Sequence, residues 1–95
     1  MIIEQIPLEN GTAIGLKFDM GNAPLLVIKA DKGFVMCGYL DTEIAEKLGD
    51  VAAKVRGVND LEDVLHTEVI DVTGHAKALG VKPGMKGHEA LELMF

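Results

Sequence analysis

Gly33-Phe34-Val35-Met36-Cys37-Gly38-Tyr39-Leu40 runs directly into Asp41-Thr42-Glu43-Ile44-Ala45, and the fold turns on this stretch. The apolar run reads as a strand. Asp41 is an N-cap residue for a helix with the apolar stripe Ile44, Ala45 and Leu48, and Gly49 suits its C-terminal end. The stretch is therefore a strand-to-helix junction. It divides the chain into a β-rich first half and a second half in which helices alternate with short strands.

Upstream, Asn10-Gly11 supplies the two positive-φ positions of a type I′ hairpin turn. The following strand alternates, with Ile14, Leu16, Phe18 and Met20 on one face and Gly15, Lys17 and Asp19 on the other. This pattern predicts a half-buried antiparallel strand with the first set inward. Ile2 to Leu8 pairs with it, and Pro7, which lacks a ladder donor, makes that segment an edge. After the loop Met20 to Pro24, Leu25 to Ile28 is apolar without alternation, as is Phe34 to Leu40. Such strands need both faces covered, by helices on one side and by another subunit on the other.

Downstream, a short strand is expected near Ala53-Lys54-Val55-Arg56, ended by Gly57. Asn59 and Glu62 stand at capping-box spacing before a helix carrying Leu61, Val64 and Leu65. Glu68 to Val72 reads as a strand. Thr73 caps a helix that Gly80 stops, and Gly87 to Phe95 forms a last helix with Ala90, Leu91 and Met94 inward. The predicted order is ββββ-α-β-α-β-α-α. This is an α+β fold of N-terminal antiparallel hairpins followed by helices with interspersed short strands.

Ninety-five residues make one domain, 1–95. At this length the core is thin, yet 48% of residues are hydrophobic, which favours extra burial through self-association. Net charge is −6 and Arg56 is the only arginine, so this acidic chain has no basic cluster for nucleic acid or an anionic membrane. No apolar run reaches the roughly 20 residues of a membrane span, and Met1 to Pro7 is not a signal peptide. A single cysteine fits a reducing cytoplasm. Serine is absent, which removes serine-nucleophile chemistry.

The Gly33–Leu40 block, with Ala45-Glu46-Lys47-Leu48-Gly49-Asp50, Val55-Arg56-Gly57-Val58, Asn22-Ala23-Pro24-Leu25-Leu26 and Gly87-His88-Glu89-Ala90-Leu91, resembles the YunC-like domain of unknown function. The resemblance covers nearly the whole chain. It implies a bacterial or archaeal source, an α+β fold and a tetramer formed through the β-rich N-terminal part. It implies no catalytic residues, because the family's biochemical function is not established. Lys86-Gly87 stands where a polar cap would precede the last helix.

The residues themselves offer a few chemical candidates. Cys37 is either a packed core cysteine, which its apolar setting favours, or a thiol activated by the following helix or a nearby cation. His75, four residues after Asp71, is the histidine best placed for orientation by a carboxylate, against a simpler reading as an exposed polar residue. Arg56 is either an anion clamp or the partner of Asp50, Asp60 or another acid, the second being favoured. Gly38 leaves room for a ligand or packs closely, and Tyr39 donates into a pocket or anchors the sheet. In both cases the structural role is favoured. The acidic groups Glu43/Glu46, Asp60/Glu62/Asp63 and Glu89/Glu92 fit solvated helix faces better than general acid–base pairs. No metal-ligand spacing and no cofactor motif is present.

Two functional readings follow. In the first, the protein is a homo-oligomeric ligand- or partner-binding module assembled through its N-terminal strands. In the second, it is a small thiol-dependent enzyme using Cys37, with His75 as proton shuttle and Arg56 as anion clamp. The first is favoured. Whether the chain is an enzyme, and which small molecule it takes, stay open at this level.

Overall fold

The computed structural model describes all residues, 1–95. Its elements are β1 (Ile2–Pro7), β2 (Thr12–Asp19), β3 (Pro24–Lys29), β4 (Gly33–Met36), α1 (Thr42–Leu48), β5 (Val51–Lys54), α2 (Leu61–His66), β6 (Asp71–Val72), α3 (Gly74–Ala78) and α4 (Gly87–Glu92). This is the predicted order and the predicted α+β class. The strands form one six-stranded sheet in the order β1-β2-β3-β4-β5-β6, with β1, which carries Pro7, at one edge. All neighbours are antiparallel except β4 and β5, which run parallel from Gly33↔Val51 to Met36↔Lys54. Parallel neighbours need a crossover, and α1 supplies it. No helix is long and apolar enough to cross a membrane.

The crossover gives the sheet two unequal faces. On one face, Ala13, Leu26, Ile28, Val35, Ala53 and Val55 join Leu61 and Val64 of α2, Ala76 of α3, and Ala90 and Leu91 of α4 in an 18-residue core. Met94 completes this core, so the inward set predicted for the last helix is the one observed. On the other face only α1 packs down, through a small cluster of Met36, Ala45 and Ala52 with Val27, Phe34 and Leu40 against it.

This corrects the expectation for β2. Ala13 and Gly15 face the core, whereas Ile14, Phe18 and Met20 are 45%, 44% and 51% exposed. The reason is steric. A Cβ on Gly15 would stand 2.8 Å from Leu61 Cδ1, so α2 approaches β2 on the side where small residues leave room. The larger apolar side chains then point outward. The stripe of α1 is corrected likewise: Ala45 is buried, while Ile44 and Leu48 are 52% and 71% exposed.

The hairpin is present, but its turn is not type I′. Neither Asn10 nor Gly11 has positive φ, and the strands are joined by Leu8 to Gly11, closed by a 2.8 Å bond from Leu8 N–H to the Gly11 carbonyl. Tertiary contacts set this geometry. Glu92 on α4 accepts from the Glu9 and Asn10 N–H groups at 2.9 Å each, and the Phe95 ring lies where a Gly11 side chain would be.

Smaller shifts have local causes. β5 begins two residues before the expected segment, because Thr73 fixes its start. Thr73 Oγ1 donates to the Asp50 carbonyl at 2.7 Å and accepts from Ala52 N–H at 3.1 Å, while also capping α3 at Ala76 N–H. Asp60, not Asn59, caps α2 by accepting from Asp63 N–H, and Asp63 accepts from Asn59 N–H. The expected strand 68–72 is reduced to Asp71–Val72 and a bridge from Glu68 to Lys86. At α4 the cap absent from Lys86 is replaced by Glu89, which accepts from Lys86 N–H at 2.8 Å.

Gly87 is the tightest point between helices. A Cβ there would fall on the Val64 carbonyl oxygen of α2, a backbone atom that cannot move aside. Gly87→Ala is expected to destabilise the fold by about 3 kcal/mol, the upper range for forced overpacking. Gly74→Ala, whose Cβ would meet only the mobile Glu46 carboxylate at 3.3 Å, should change stability by less than about 1 kcal/mol. Urea unfolding of the two variants measures both.

Candidate functional site

At the carboxyl ends of the parallel pair, the chain leaves β4 as Cys37-Gly38-Tyr39 and leaves β5 through Val55 and Arg56 into Gly57-Val58-Asn59. Ala23-Pro24, at the antiparallel entry to β3, forms a third wall. Together these segments line a cavity of about 390 Å³. The position follows from topology. Where parallel strands end side by side, their outgoing loops diverge and leave a crevice.

Each wall has a physical role. Tyr39 is half-exposed, and its hydroxyl donates to the Ala23 carbonyl at 3.2 Å, so it clasps two walls of the cavity together. Gly57 has φ +71°, a left-handed conformation that turns the chain out of β5. A Cβ at Gly38 would meet nothing nearer than Arg56 Cγ at 3.8 Å. Gly38 is thus not a close-packing glycine, and it leaves open space at the cavity.

Cys37 is 3% exposed and belongs to the main core, although it also lines the cavity floor. Its Sγ accepts from Leu26 N–H at 3.2 Å, and its own N–H donates to the Leu26 carbonyl at 3.0 Å. These contacts tie the thiol into the sheet. Arg56 is exposed, and the structural pair with Asp50 or Asp60 is not formed. The one contact within 4 Å between a basic side chain and a carboxylate is the hydrogen bond of His66 Nε2 with Glu62 Oε1, at 3.1 Å.

The histidines lie elsewhere. His75 Cε1 is 3.9 Å from where a Gly49 Cβ would stand, beside the amino-terminal end of β5 and so at the opposite end of the strand from Cys37. Asp71 accepts from Val72 N–H at 3.1 Å and makes no hydrogen bond to His75. His66 and His88 meet edge to face at 5.8 Å in a separate polar cleft with Glu9 and Glu92. Cys37, Gly38, Tyr39 and Arg56 are therefore neighbours, and His75 is not among them.

Sequence reasoning missed Ala23-Pro24 and Gly57-Val58-Asn59 as cavity walls. Their signal was weak, since only the fold brings them beside Cys37. Several acidic residues also do more than face solvent. Glu46 accepts from Gly74 N–H at the start of α3, and Glu92 holds the hairpin loop.

The family model described as "Domain of unknown function (DUF1805)" matches residues 36–94. The uncharacterized protein YunC of Bacillus subtilis (strain 168) is 38% identical over 84 residues, which are 84% of this chain and 81% of that protein. A protein of unknown function from Thermoplasma acidophilum, known from its crystal structure, is similar with a TM-score of 0.94. It is 37% identical, over 99% of this chain and 92% of that one. The chain belongs to the DUF1805 family of domains of unknown function.

Burial and the bond from Leu26 make Cys37 a protected thiol. Its labelling by a small disulfide reagent is expected to be at least about a hundredfold slower in the native protein than in the unfolded chain, because access requires local opening. Stopped-flow absorbance in buffer and in urea gives the ratio. A native rate equal to the unfolded one contradicts this assignment.

Proposed function

We propose that this protein is a homo-oligomeric binding module. The outer face of β1–β3 seats further copies of the chain, as many as a tetramer, and the cavity between the β4 and β5 exits takes a small-molecule ligand. The observation that carries the binding function is the convergence of Ala23-Pro24, Cys37-Gly38-Tyr39 and Gly57-Val58-Asn59 on one cavity of about 390 Å³. That volume lies within the usual range for small-molecule sites.

Self-association is supported by the outer sheet face. Register places Ile3 beside Leu16, Leu16 beside Val27 and Val27 beside Met36, so one apolar row crosses four strands. Ile3 is 63% exposed, Ile14 and Phe18 stand along the same face of β2, and α1 extends the surface with Ile44. Full burial of such a side chain contributes about 1.5–3 kcal/mol, so a second copy covering this face gains several such increments. A second copy presents the same apolar face, so the two can cover one another about a two-fold axis. A cytoplasmic setting accords with the unpaired Cys37.

The thiol-dependent reading takes second place. In its favour, Cys37 lines the same cavity and Arg56 lies against Gly38. Against it, the thiol is buried, and His75 is at the other end of β5.

The native chain is expected to sediment as an oligomer at micromolar concentration. The double substitution Ile14→Glu with Phe18→Glu should give a folded monomer, because both side chains are half-exposed in the protomer. Analytical ultracentrifugation and circular dichroism report the two properties separately. A native monomer, or an oligomer indifferent to the substitutions, rejects assembly through this face.

A further inference from the structure

The tip of the first hairpin holds a reactive pair of residues under restraint. Of the asparagines Asn10, Asn22 and Asn59, only Asn10 precedes a glycine. The side chains of Ala23 and Asp60 shield the backbone nitrogen that follows the other two, and Gly11 has none to do so. Asn10 is exposed, and the Gly11 N–H donates to no protein acceptor, so no bond holds that nitrogen back. A side-chain carboxamide followed by such a nitrogen can close a ring with it.

The restraint comes from α4. Glu92 uses both carboxylate oxygens on this loop, Oε2 on Glu9 N–H and Oε1 on Asn10 N–H, at 2.9 Å each. The Asn10 side chain is held as well, since its Nδ2 donates to the Glu92 carbonyl at 3.0 Å. A carbonyl only accepts, so the NH2 end of the carboxamide is the end fixed against α4. One residue of α4 thus clasps Asn10 by main chain and side chain together.

We propose that Asn10 is a modification site, converted spontaneously to aspartate and isoaspartate through a succinimide with Gly11, and that the Glu92 clasp sets the rate. The Gly11 amide gives its proton to solvent base, and its nitrogen attacks Asn10 Cγ. The N–Cγ bond forms, the Cγ–Nδ2 bond breaks, and Nδ2 leaves as ammonia with a proton from water. Water then adds to one ring carbonyl. Cleavage at Cγ gives aspartate, and cleavage at the main-chain carbonyl gives isoaspartate. Water is the only co-reactant. The leaving nitrogen is the one bonded to Glu92, and ring closure pivots Asn10 about its main chain, so the clasp must open first.

The product works against the same clasp. A carboxylate has no proton to offer the Glu92 carbonyl, and it adds a negative charge beside the Glu92 carboxylate in a chain already at −6. Isoaspartate also lengthens the main chain of a loop that is closed by the Leu8–Gly11 bond and packed under the Phe95 ring. Converted copies therefore lose the join between the hairpin and α4. The chemistry needs neither the cavity nor the outer sheet face.

The test is incubation of the full chain in mildly alkaline buffer, folded or unfolded in guanidinium chloride. Mass spectrometry of the tryptic segment 1–17 follows the conversion, and an isoaspartyl methyltransferase detects isoaspartate. In the unfolded chain Asn10 is expected to convert before Asn22 and Asn59. The folded chain should still convert at Asn10 first, about tenfold more slowly, the effect of charge-assisted contacts that must open. Glu92→Ala, checked for folding by circular dichroism, should bring the rate back towards the unfolded value, and Glu92→Gln, which removes only the charge, should fall between. Asn10→Asp, the product itself, should lower the midpoint of urea unfolding. Conversion of Asn22 or Asn59 ahead of Asn10, or no isoaspartate at Asn10 in the folded chain, overturns the site. A folded rate equal to the unfolded one overturns the restraint by Glu92 whether or not the variants fold, as does a folded Glu92→Ala no faster than the native chain. An Asn10→Asp chain as stable as the native one overturns the loss of the join.

Discussion

The parallel pairing of β4 with β5 is the constraint from which the rest of the molecule follows. It forces a crossover, and α1 is that crossover. With α1 on one side of the sheet, α2 and α4 cover the other, and the main core forms there. The same pairing sets the exits of the two strands side by side, which creates the cavity lined by Cys37-Gly38-Tyr39 and Gly57-Val58-Asn59. Thr73 holds the opposite end, where one buried hydroxyl bonds to the backbone on either side of Val51 and caps α3. Core, site and crossover are thus consequences of one strand pair.

The sheet is asymmetric because its helices are unequally distributed. Small residues mark where helices come closest: Gly15 under Leu61, and Gly87 against the Val64 carbonyl. Large residues of the first strands are left on the opposite face, where α1 covers only the part around Met36 and Ala52, with Val27 and Phe34 partly buried beside them. A short chain cannot cover both faces of a six-stranded sheet with four short helices.

Much of the architecture was legible along the chain. The junction at Gly33–Ala45, the Asp41 and Thr73 caps, the order of elements and the inward set Ala90, Leu91, Met94 all rest on local chemistry that tertiary packing left in place. Within the site, Cys37, Gly38, Tyr39 and Arg56 could each be singled out, but the closeness of Arg56 to Gly38 could not, because only the β4–β5 pairing brings the two blocks together. His75 is an exposed polar residue, the simpler of its two readings; the alternative of a ring oriented by Asp71 is not formed, because the Asp71 carboxylate accepts from Val72 N–H instead.

By itself the sequence determined the number, type and order of elements, since caps, glycine stops and apolar runs act over a few residues. The direction in which each strand faces was decided only by the tertiary structure. Alternation in β2 identified two faces, but which one is buried depended on where α2 could approach, and a glycine admitted it on the side away from Ile14 and Phe18. The turn at Asn10-Gly11 was decided in the same way, by Glu92 and Phe95 of a segment more than eighty residues distant. The cavity walls at Ala23-Pro24 and Asn59 were too, because strand pairing brings them together and no local pattern records that proximity.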